Sequence, residues 1–200
     1  FIINPTAGKS DSRQRIYDMA DALRTRHDLD VQCVLTKRQG HATELAKKLC
    51  QTGEELRFYA CGGDGTVNEV ANGIIGYDNA AMSVIPIGTG NLFARNMGVP
   101  VDDIDAALTV ATSHGSRLVD MGRLTLLDHP EDDHGHAFLI IAGIGFDAAM
   151  IDDTNPELKA NISWLAYFVG GVKNLFAPKF RGTLTVTSAD GSTHTIKNLD

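Results

Sequence analysis

The sequence lacks the features of membrane-embedded, nucleic-acid-binding and disulfide-bonded proteins. Among its 200 residues no apolar run reaches the roughly 18 that a membrane span requires, and no signal-peptide pattern opens it. The formal net charge is −7, whereas nucleic-acid binding needs a basic surface. The three cysteines are odd in number and have no metal-ligand spacing, which favours free thiols in a reducing compartment. We therefore expect a cytoplasmic protein without a nucleic-acid partner. Its oligomeric state is not predicted.

Strand and helix patterns alternate through the first part of the chain. Strand patterns occur at 1–3, 31–36, 56–61 and 81–87, and apolar residues recur at helical spacing within 16–23, 42–49, 67–74 and 102–115. Such alternation with short connections predicts a parallel sheet covered by helices. From about Ser116 the chain is richer in strand patterns, with one helix expected near 157–176. The sequence thus predicts an α/β fold: a parallel-sheet domain at 1–115, followed by a β-rich domain at 116–200. Both ends are expected to belong to a longer protein.

Three of the predicted strands run into polar turns that contain glycine: "NPTAGKS" (4–10), "GGDGT" (62–66) and "PIGTGN" (86–91). The carboxyl ends of parallel strands lie on one edge of a sheet, where ligands bind. Glycines let backbone N–H groups approach a ligand closely, and a helix N-terminus attracts phosphate. Neither a P-loop nor the dinucleotide fingerprint fits these turns. They predict a phosphate site of another kind.

Asp64 stands out in this setting because a carboxylate beside polyphosphate is repulsive unless a metal ion or an acceptor hydroxyl lies between them. Its presence in the glycine-rich turn therefore indicates phosphoryl-transfer chemistry. The alternative is that Asp64 only caps its own helix.

Five segments together, "NPTAGK", "TKRQGHATELA" (36–46), "GGDGTVNEV", "PIGTGNLFAR" and "AGIGFDAAM" (142–150), resemble the diacylglycerol kinase catalytic domain family. This family of lipid kinases includes sphingosine kinases and bacterial diacylglycerol kinases, and the resemblance spans essentially the whole chain. Family members usually continue beyond the position of Asp200 with a β-sandwich that carries magnesium-site residues and a further catalytic acid.

The resemblance implies that the domain at 1–115 binds ATP and that the domain at 116–200 is an incomplete lipid-substrate domain. It also implies roles for individual residues. Asp64 corresponds to the proposed catalytic carboxylate, and Asp147 to a position near the lipid acceptor. No metal ligand is predicted within this chain. The predicted ATP-binding residues are Asn4, Pro5, Thr36, Gly62, Gly63, Asp64, Gly65, Thr66, Val67, Asn68, Glu69, Gly88 and Thr89.

The sequence and the resemblance together predict a lipid kinase that uses ATP and Mg²⁺ to phosphorylate the hydroxyl of a diacylglycerol-like lipid. Such a protein would contact the membrane surface only transiently. Two alternatives stay open: phosphorylation of a soluble acceptor such as NAD, and nucleotide binding without catalysis.

Overall fold

The computed structural model describes residues 1–27, 29–113, 115–125, 136–143 and 182–199, which contain five helices and eight strands. In chain order these are β1 (Ile2–Ile3), α1 (Ser10–His27), β2 (Val34–Leu35), α2 (His41–Cys50), β3 (Leu56–Gly62), α3 (Asp64–Ile74), β4 (Ala80–Pro86), α4 (Leu92–Asn96), α5 (Ile104–Thr112), β5 (Gly122–Leu124), β6 (His136–Phe138), β7 (Gly182–Thr187) and β8 (Thr193–Leu199).

The first four strands form one sheet in the order β2-β1-β3-β4, and every neighbouring pair is parallel. The β3–β4 pair extends from Leu56 opposite Ala80 to Gly62 opposite Pro86. Helices connect successive strands of this sheet, as parallel pairing requires. The α/β fold with a parallel sheet is therefore confirmed.

Successive residues of the strands enter two different apolar clusters because side chains alternate between the faces of a sheet. Ile3 and Cys61 pack with apolar residues of α1 and α5. Their neighbours Ile2 and Ala60 pack with apolar residues of α2, α3 and α4. Helices thus cover both faces, which explains why the last five residues of β3 are all buried.

Small side chains let α2 and α3 pack closely. Ala42, Ala46 and Cys50 recur every four residues along α2 and are buried. A Cβ atom on Gly73 of α3 would lie 2.6 Å from the Cβ of Ala46 and 2.7 Å from the carbonyl oxygen of Thr43. The contact between these two helices therefore requires glycine at position 73.

The cysteines are free thiols, as predicted. Cys50 and Cys61 are buried and Cys33 is half-buried. Burial raises the pKa of the Cys61 thiol well above its usual range, so this side chain is an uncharged apolar component of the core.

Some of the observed strands and helices differ from the predicted ones. The strand expected at 31–36 is limited to Val34–Leu35, which pair with the two residues of β1. Helix α4 was not predicted. The helix expected near 157–176 lies outside the described residues.

Contacts between Cα atoms divide the chain into two compact units, Phe1–Ile141 and Ala142–Asp200. The antiparallel β5–β6 pair, in which β6 packs on α3, belongs to the first unit. The domain boundary after residue 115 stays a prediction. In the second unit, β7 and β8 form an antiparallel hairpin, in the part of the chain where the sequence predicts more strands. The roles assigned to the two domains stay predictions.

Within the described part of the chain, no helix combines the length and the apolar character that crossing a bilayer requires.

Candidate functional site

The turns that follow β1, β2, β3 and β4 lie side by side at the carboxyl edge of the sheet. The backbone N–H of Asn4 donates to the carbonyl oxygen of Cys61 at 2.9 Å, and that of Thr36 donates to Ile3 at the same distance. The N–H of Ile87 donates to the carbonyl oxygen of Gly62 at 3.1 Å. These bonds extend the parallel ladder past the strand ends and hold the turns together.

A pocket of about 370 Å³ opens between these turns. It joins residues after β1 and β2 to the first two turns of α3. Its lining residues are Asn4, Pro5, Thr6, Thr36, Lys37, Arg38, Gln39, Gly65, Thr66 and Glu69. Six predicted ATP-binding residues, Asn4, Pro5, Thr36, Gly65, Thr66 and Glu69, are therefore brought to one cavity. The sequence prediction did not include Thr6 or the run from Lys37 to Gln39, although both adjoin predicted residues.

Asn4 fixes the turn after β1 with its side-chain amide. Its Oδ1 accepts from the backbone N–H of Thr6 at 3.0 Å and from the Thr6 hydroxyl at 2.8 Å. Its Nδ2 donates to Oγ1 of Thr66 at 3.4 Å. Two sides of the pocket are thus tied together by one side chain.

The glycines of these turns meet different physical requirements. A Cβ on Gly62 would lie 2.4 Å from Oγ1 of Thr66, and a Cβ on Gly88 would lie 2.4 Å from the Cα of Gly63. At those two positions glycine lets segments of the protein pack together. A Cβ on Gly65 would meet no atom within 4 Å. Only Gly65, which is exposed and lines the pocket, leaves space for a ligand.

Asp64 is the first residue of α3, yet its carboxylate binds another helix. Oδ2 accepts from the backbone N–H of Leu92 at 3.0 Å, and Oδ1 accepts from that of Phe93 at 2.9 Å. Helix α3 has no side-chain cap of its own. Asp64 therefore caps α4, which lies 28 residues further along the chain.

Asn91 completes the turn between β4 and α4. Its backbone is left-handed, with φ of 51°, and its side chain is 5% exposed. Oδ1 accepts from the N–H of Gly88 at 3.1 Å, and Nδ2 donates to the Gly88 carbonyl at 2.8 Å. These two bonds join the side-chain amide of Asn91 to the backbone of Gly88 and fix the conformation of the turn at Gly88.

Glu69 caps α2 from α3. Helix α2 begins after Gly40, which provides no side-chain cap, and Oε2 of Glu69 accepts from the N–H of Ala42 at 3.2 Å. The hydroxyl of Thr43 donates to the carbonyl oxygen of Glu69 at 2.8 Å. This carboxylate thus has a structural role as well as a position in the pocket wall.

Two exposed cationic side chains, Lys37 and Arg38, line the pocket. Arg38 Nη2 lies 2.8 Å from both carboxylate oxygens of Glu44, and both side chains are more than half exposed. Exposed pairs of this kind contribute little stability, so Arg38 can exchange this partner for an anionic ligand at small cost.

The remaining predicted residues lie around the pocket rather than in its lining. Gly62, Gly63, Asp64, Gly88 and Thr89 form the neighbouring turns. Val67 is 2% exposed and belongs to the core. Asn68 has a buried Oδ1 atom with no hydrogen-bond partner in the described structure. Asp147 lies outside the described residues. The ligand roles of all these residues stay predictions.

The described residues contain no group of three histidine, cysteine, aspartate or glutamate side chains that could hold a metal ion. The carboxylates nearest the predicted phosphate site, Asp64 and Glu69, are already bonded to backbone N–H groups. The described residues therefore do not fit a metal site made of protein ligands alone.

The family assignment agrees with this geometry. Residues 1–124 match the diacylglycerol kinase catalytic domain. The chain belongs to this family.

Named relatives in two bacteria are similar over most of the chain. It is 32% identical to "Diacylglycerol kinase" of Bacillus subtilis (strain 168) over 96% of its length and 59% of the relative's length. It is 29% identical to "Probable lipid kinase YegS-like" of Enterobacter sp. (strain 638), over 84% of this chain and 54% of the relative. The chain thus spans a little over half the length of these curated relatives.

The fold is also similar to a solved structure. A crystal structure of a candidate diacylglycerol kinase from Bacillus anthracis str. Sterne superposes with a TM-score of 0.61 at 27% identity, covering 97% of this chain and 60% of that one.

Proposed function

We propose that this chain is the nucleotide-binding part of a lipid kinase that transfers the γ-phosphate of ATP to the hydroxyl of a diacylglycerol-like lipid. The observation that carries the proposal is the pocket at the carboxyl edge, which adjoins the first turn of α3 and the turn that holds Asp64. Relatives named as diacylglycerol or lipid kinases support the same activity.

The pocket provides three kinds of group for a polyphosphate. The first helical bond of α3 runs from Val67 N–H to the Gly63 carbonyl at 3.1 Å, which leaves the earlier N–H groups of the helix free of helical partners. Such groups bind phosphate at a helix N-terminus. Thr66 adds a hydroxyl, and Lys37 and Arg38 add positive charge. The open space beside Gly65 admits the phosphates close to the backbone.

Asp64 is suited to position an acceptor hydroxyl. A carboxylate offers about four lone-pair sites, and the N–H groups of Leu92 and Phe93 use two of them. These bonds fix the orientation of the carboxylate and leave about two lone-pair sites, one of which can accept a hydrogen bond from a substrate hydroxyl. A fixed general base of this kind needs no reorganisation when the substrate arrives.

The reaction then proceeds as an in-line displacement. The lipid hydroxyl oxygen forms a bond to the γ-phosphorus, the bond between that phosphorus and the β,γ-bridging oxygen breaks, and ADP leaves with the electron pair. The transition state is loose in most analyses, so the hydroxyl keeps its proton until late, when Asp64 takes it. Mg²⁺ bound with ATP would neutralise phosphate charge.

Nucleotide binding without catalysis is a second candidate, because Asp64 has a structural partner in α4. Phosphorylation of a soluble acceptor such as NAD is a third. Transient contact with the membrane surface is part of the lipid-kinase proposal, since a diacylglycerol-like substrate resides in the bilayer.

One assay separates these candidates. Purified protein is incubated with γ-labelled Mg–ATP and either vesicles that contain diacylglycerol or soluble NAD, and label transfer is measured. We expect label in the lipid only. Label in NAD would support the soluble-acceptor function, and ATP binding by calorimetry without any transfer would support the non-catalytic one.

A further inference from the structure

The loop between β2 and α2 is closed by the first residue of α2, His41. The backbone N–H of Lys37 donates to Nδ1 of His41 at 3.1 Å, and the backbone N–H of His41 donates to the carbonyl oxygen of Arg38 at 3.2 Å. Gly40 completes the reversal of the chain with a left-handed backbone, at φ of 80°. His41 therefore binds this loop through both its side chain and its backbone.

This loop forms one wall of the candidate nucleotide pocket. It contributes four consecutive lining residues, 36–39. The N–H of Thr36 donates to the carbonyl oxygen of Ile3 at 2.9 Å, which holds the start of the loop on the sheet. The next N–H along the chain, that of Lys37, is bound by the ring of His41 instead. The conformation of the pocket wall thus depends on this side chain.

The bond from Lys37 to His41 requires a neutral imidazole that carries its proton on Nε2. In neutral histidine one ring nitrogen donates and the other accepts, whereas both nitrogens donate in the protonated form. Protonation would place an Nδ1–H group against the N–H of Lys37, so repulsion would replace the hydrogen bond. Histidine is the side chain that ordinarily changes charge between about pH 5 and 8. Protonation in this range would therefore break the bond that closes the loop.

Charged groups of the loop, of α2 and of α3 adjoin His41. Lys37 and Arg38 are exposed residues of the loop, and Nη2 of Arg38 lies 2.8 Å from both carboxylate oxygens of Glu44 in α2. From α3, Glu69 accepts from the backbone N–H of the residue after His41 at 3.2 Å. Both carboxylates thus already have partners, and a protonated ring would add a third positive charge beside Lys37 and Arg38.

We propose that neutral His41 is a positioning residue for nucleotide binding, and that its protonation weakens the binding of Mg–ATP. His41 does not line the pocket, so it acts through the backbone of Lys37. The inference rests on the proposed nucleotide site. Added positive charge would attract polyphosphate and so acts in the opposite direction. Water and salt screen a charge on a half-exposed ring, whereas loss of the hydrogen bond acts directly on the pocket wall.

Three substitutions separate the hydrogen bond from the other properties of the ring. In His41→Asn, Oδ1 is bonded to Cγ as Nδ1 of histidine is, so it can accept from Lys37 but does not titrate. His41→Ala removes the acceptor. His194→Asn is the control for loss of a titrating ring elsewhere, because His194 is an exposed residue of β8 in the second compact unit.

The experiment measures Mg–ATP affinity by calorimetry, and melting temperature, between about pH 5 and 8 for wild-type protein and the three variants. On acidification, Kd for wild type and His194→Asn should rise about 2- to 10-fold relative to His41→Asn, the effect of one hydrogen bond. At the alkaline end His41→Asn should bind as wild type does, and His41→Ala should bind about 2- to 10-fold more weakly. Titration of ATP itself is common to all four proteins, so the differences report His41.

A nuclear magnetic resonance titration tests the same bond without a substitution. At the alkaline end of the range, the ring nitrogen shifts of His41 should show the proton on Nε2. Because protonation and binding are linked, saturating Mg–ATP should move the midpoint of the His41 titration to lower pH. The expected displacement is about 0.3 to 1 pH unit, which is equivalent to the fold-change in Kd.

Other results overturn the inference. If the relative affinities do not change with pH and the His41 midpoint stays in place, the pocket does not depend on this bond, although ATP binding itself would leave the proposed function standing. Affinity that rises on acidification would show that the charge of the ring dominates. If His41→Asn binds as weakly as His41→Ala, and both melt at the same lowered temperature, the ring has only a packing role. If the wild-type protein binds no Mg–ATP at any pH, the proposed function itself fails, and this inference with it.

Discussion

The carboxyl edge of the four-stranded sheet and the β7–β8 hairpin are both built from strands joined to glycine-containing turns, yet their turns are held differently. At the sheet edge, local bonds such as those between Asn91 and Gly88 are joined by bonds between distant segments, which Leu92 N–H donates to Asp64 and Ala42 N–H donates to Glu69. In the hairpin turn the bonds are local: Ser188 N–H donates to Ser192, and Asp190 accepts from Ser192.

The two regions also differ in how far their strand residues are buried. The strand that leads to the phosphate turn ends in five consecutive buried residues. In the hairpin, Leu184, Val186 and Ile196 are 46%, 48% and 51% exposed. A site whose turns are hydrogen-bonded to one another and supported by a buried core is preorganised. A substitution at one of its residues, however, alters the structure of several segments. A locally bonded turn confines the effect of a change to itself.

The largest effect is expected for Asp64→Asn. An asparagine keeps one acceptor oxygen and presents an amide NH₂ group to the second backbone N–H of α4, so the side chain loses both its general-base role and one bond to α4. Turnover with lipid should fall about 10²- to 10⁴-fold, the usual range for a positioned acid–base group. Steady-state transfer of labelled phosphate measures it.

Asp103→Ala is the control for loss of a helix cap. Oδ1 of Asp103 accepts from the N–H groups of Asp105 and Ala106 at the start of α5, far from the pocket lining. Its removal should cost about 0.5–2 kcal/mol of stability without a specific loss of turnover. Near-normal turnover in Asp64→Asn would leave Asp64 with the capping role alone.

Gly88→Ala should give the next largest effect, on folding. Its Cβ would lie 2.4 Å from the Cα and 2.9 Å from the N of Gly63, both backbone atoms that cannot move independently of the phosphate turn. We expect a loss of about 1–3 kcal/mol in unfolding free energy, as for other overpacked sites. Urea denaturation measures it. Unchanged stability would show that the two turns are not in tight contact.

Gly65→Ala should weaken Mg–ATP binding without lowering the stability of the fold. Its Cβ meets no protein atom within 4 Å, and alanine is favoured over glycine inside a helix by roughly 0.5–1 kcal/mol. Stability should therefore stay equal or rise slightly, whereas Mg–ATP affinity should fall because the methyl group enters the ligand space. Calorimetry and denaturation of the same sample decide this. Undiminished affinity would place the phosphates away from Gly65.

The sequence predicted the features that depend on local order and missed those that depend on distant pairs. Strand–helix alternation predicted the parallel sheet, and the rule that parallel strands end on one edge predicted that the turns with Asn4 and Thr66 would meet, whereas Thr36 was predicted from the family resemblance alone. Asp64 was considered as a cap for its own helix, since α4 was not recognised. No periodic pattern indicates that Asp64 would cap a helix 28 residues away, or that Asn72 would bind Ala137.

A smaller effect is expected for salt on membrane contact. With a formal charge of −7, attraction to anionic lipid is weak, so contact should depend on apolar surface, which contributes about 25 cal/mol per Å² buried. Co-sedimentation of the protein with diacylglycerol vesicles should therefore change little between low and high ionic strength. Tight binding that is lost in salt would show that electrostatic attraction dominates.

The smallest effect is expected for Asp190 in the hairpin turn. Hydrogen bonds donated by the Ser192 hydroxyl and N–H hold the pKa of Asp190 below its usual value. Because the folded-state pKa is the lower one, the ionised carboxylate stabilises the turn at pH values above the unfolded pKa of about 3.9. That contribution is lost as pH falls through the folded-state pKa. Asp190→Ala should thus speed amide exchange at Ser192 at pH 6, and the difference from wild type should disappear at the acid end. Phosphate transfer at pH 7 should be unchanged, since every bond of this turn is local. A variant that lost transfer activity would show that the hairpin turn is connected to the site, and the contrast between the two regions would not hold.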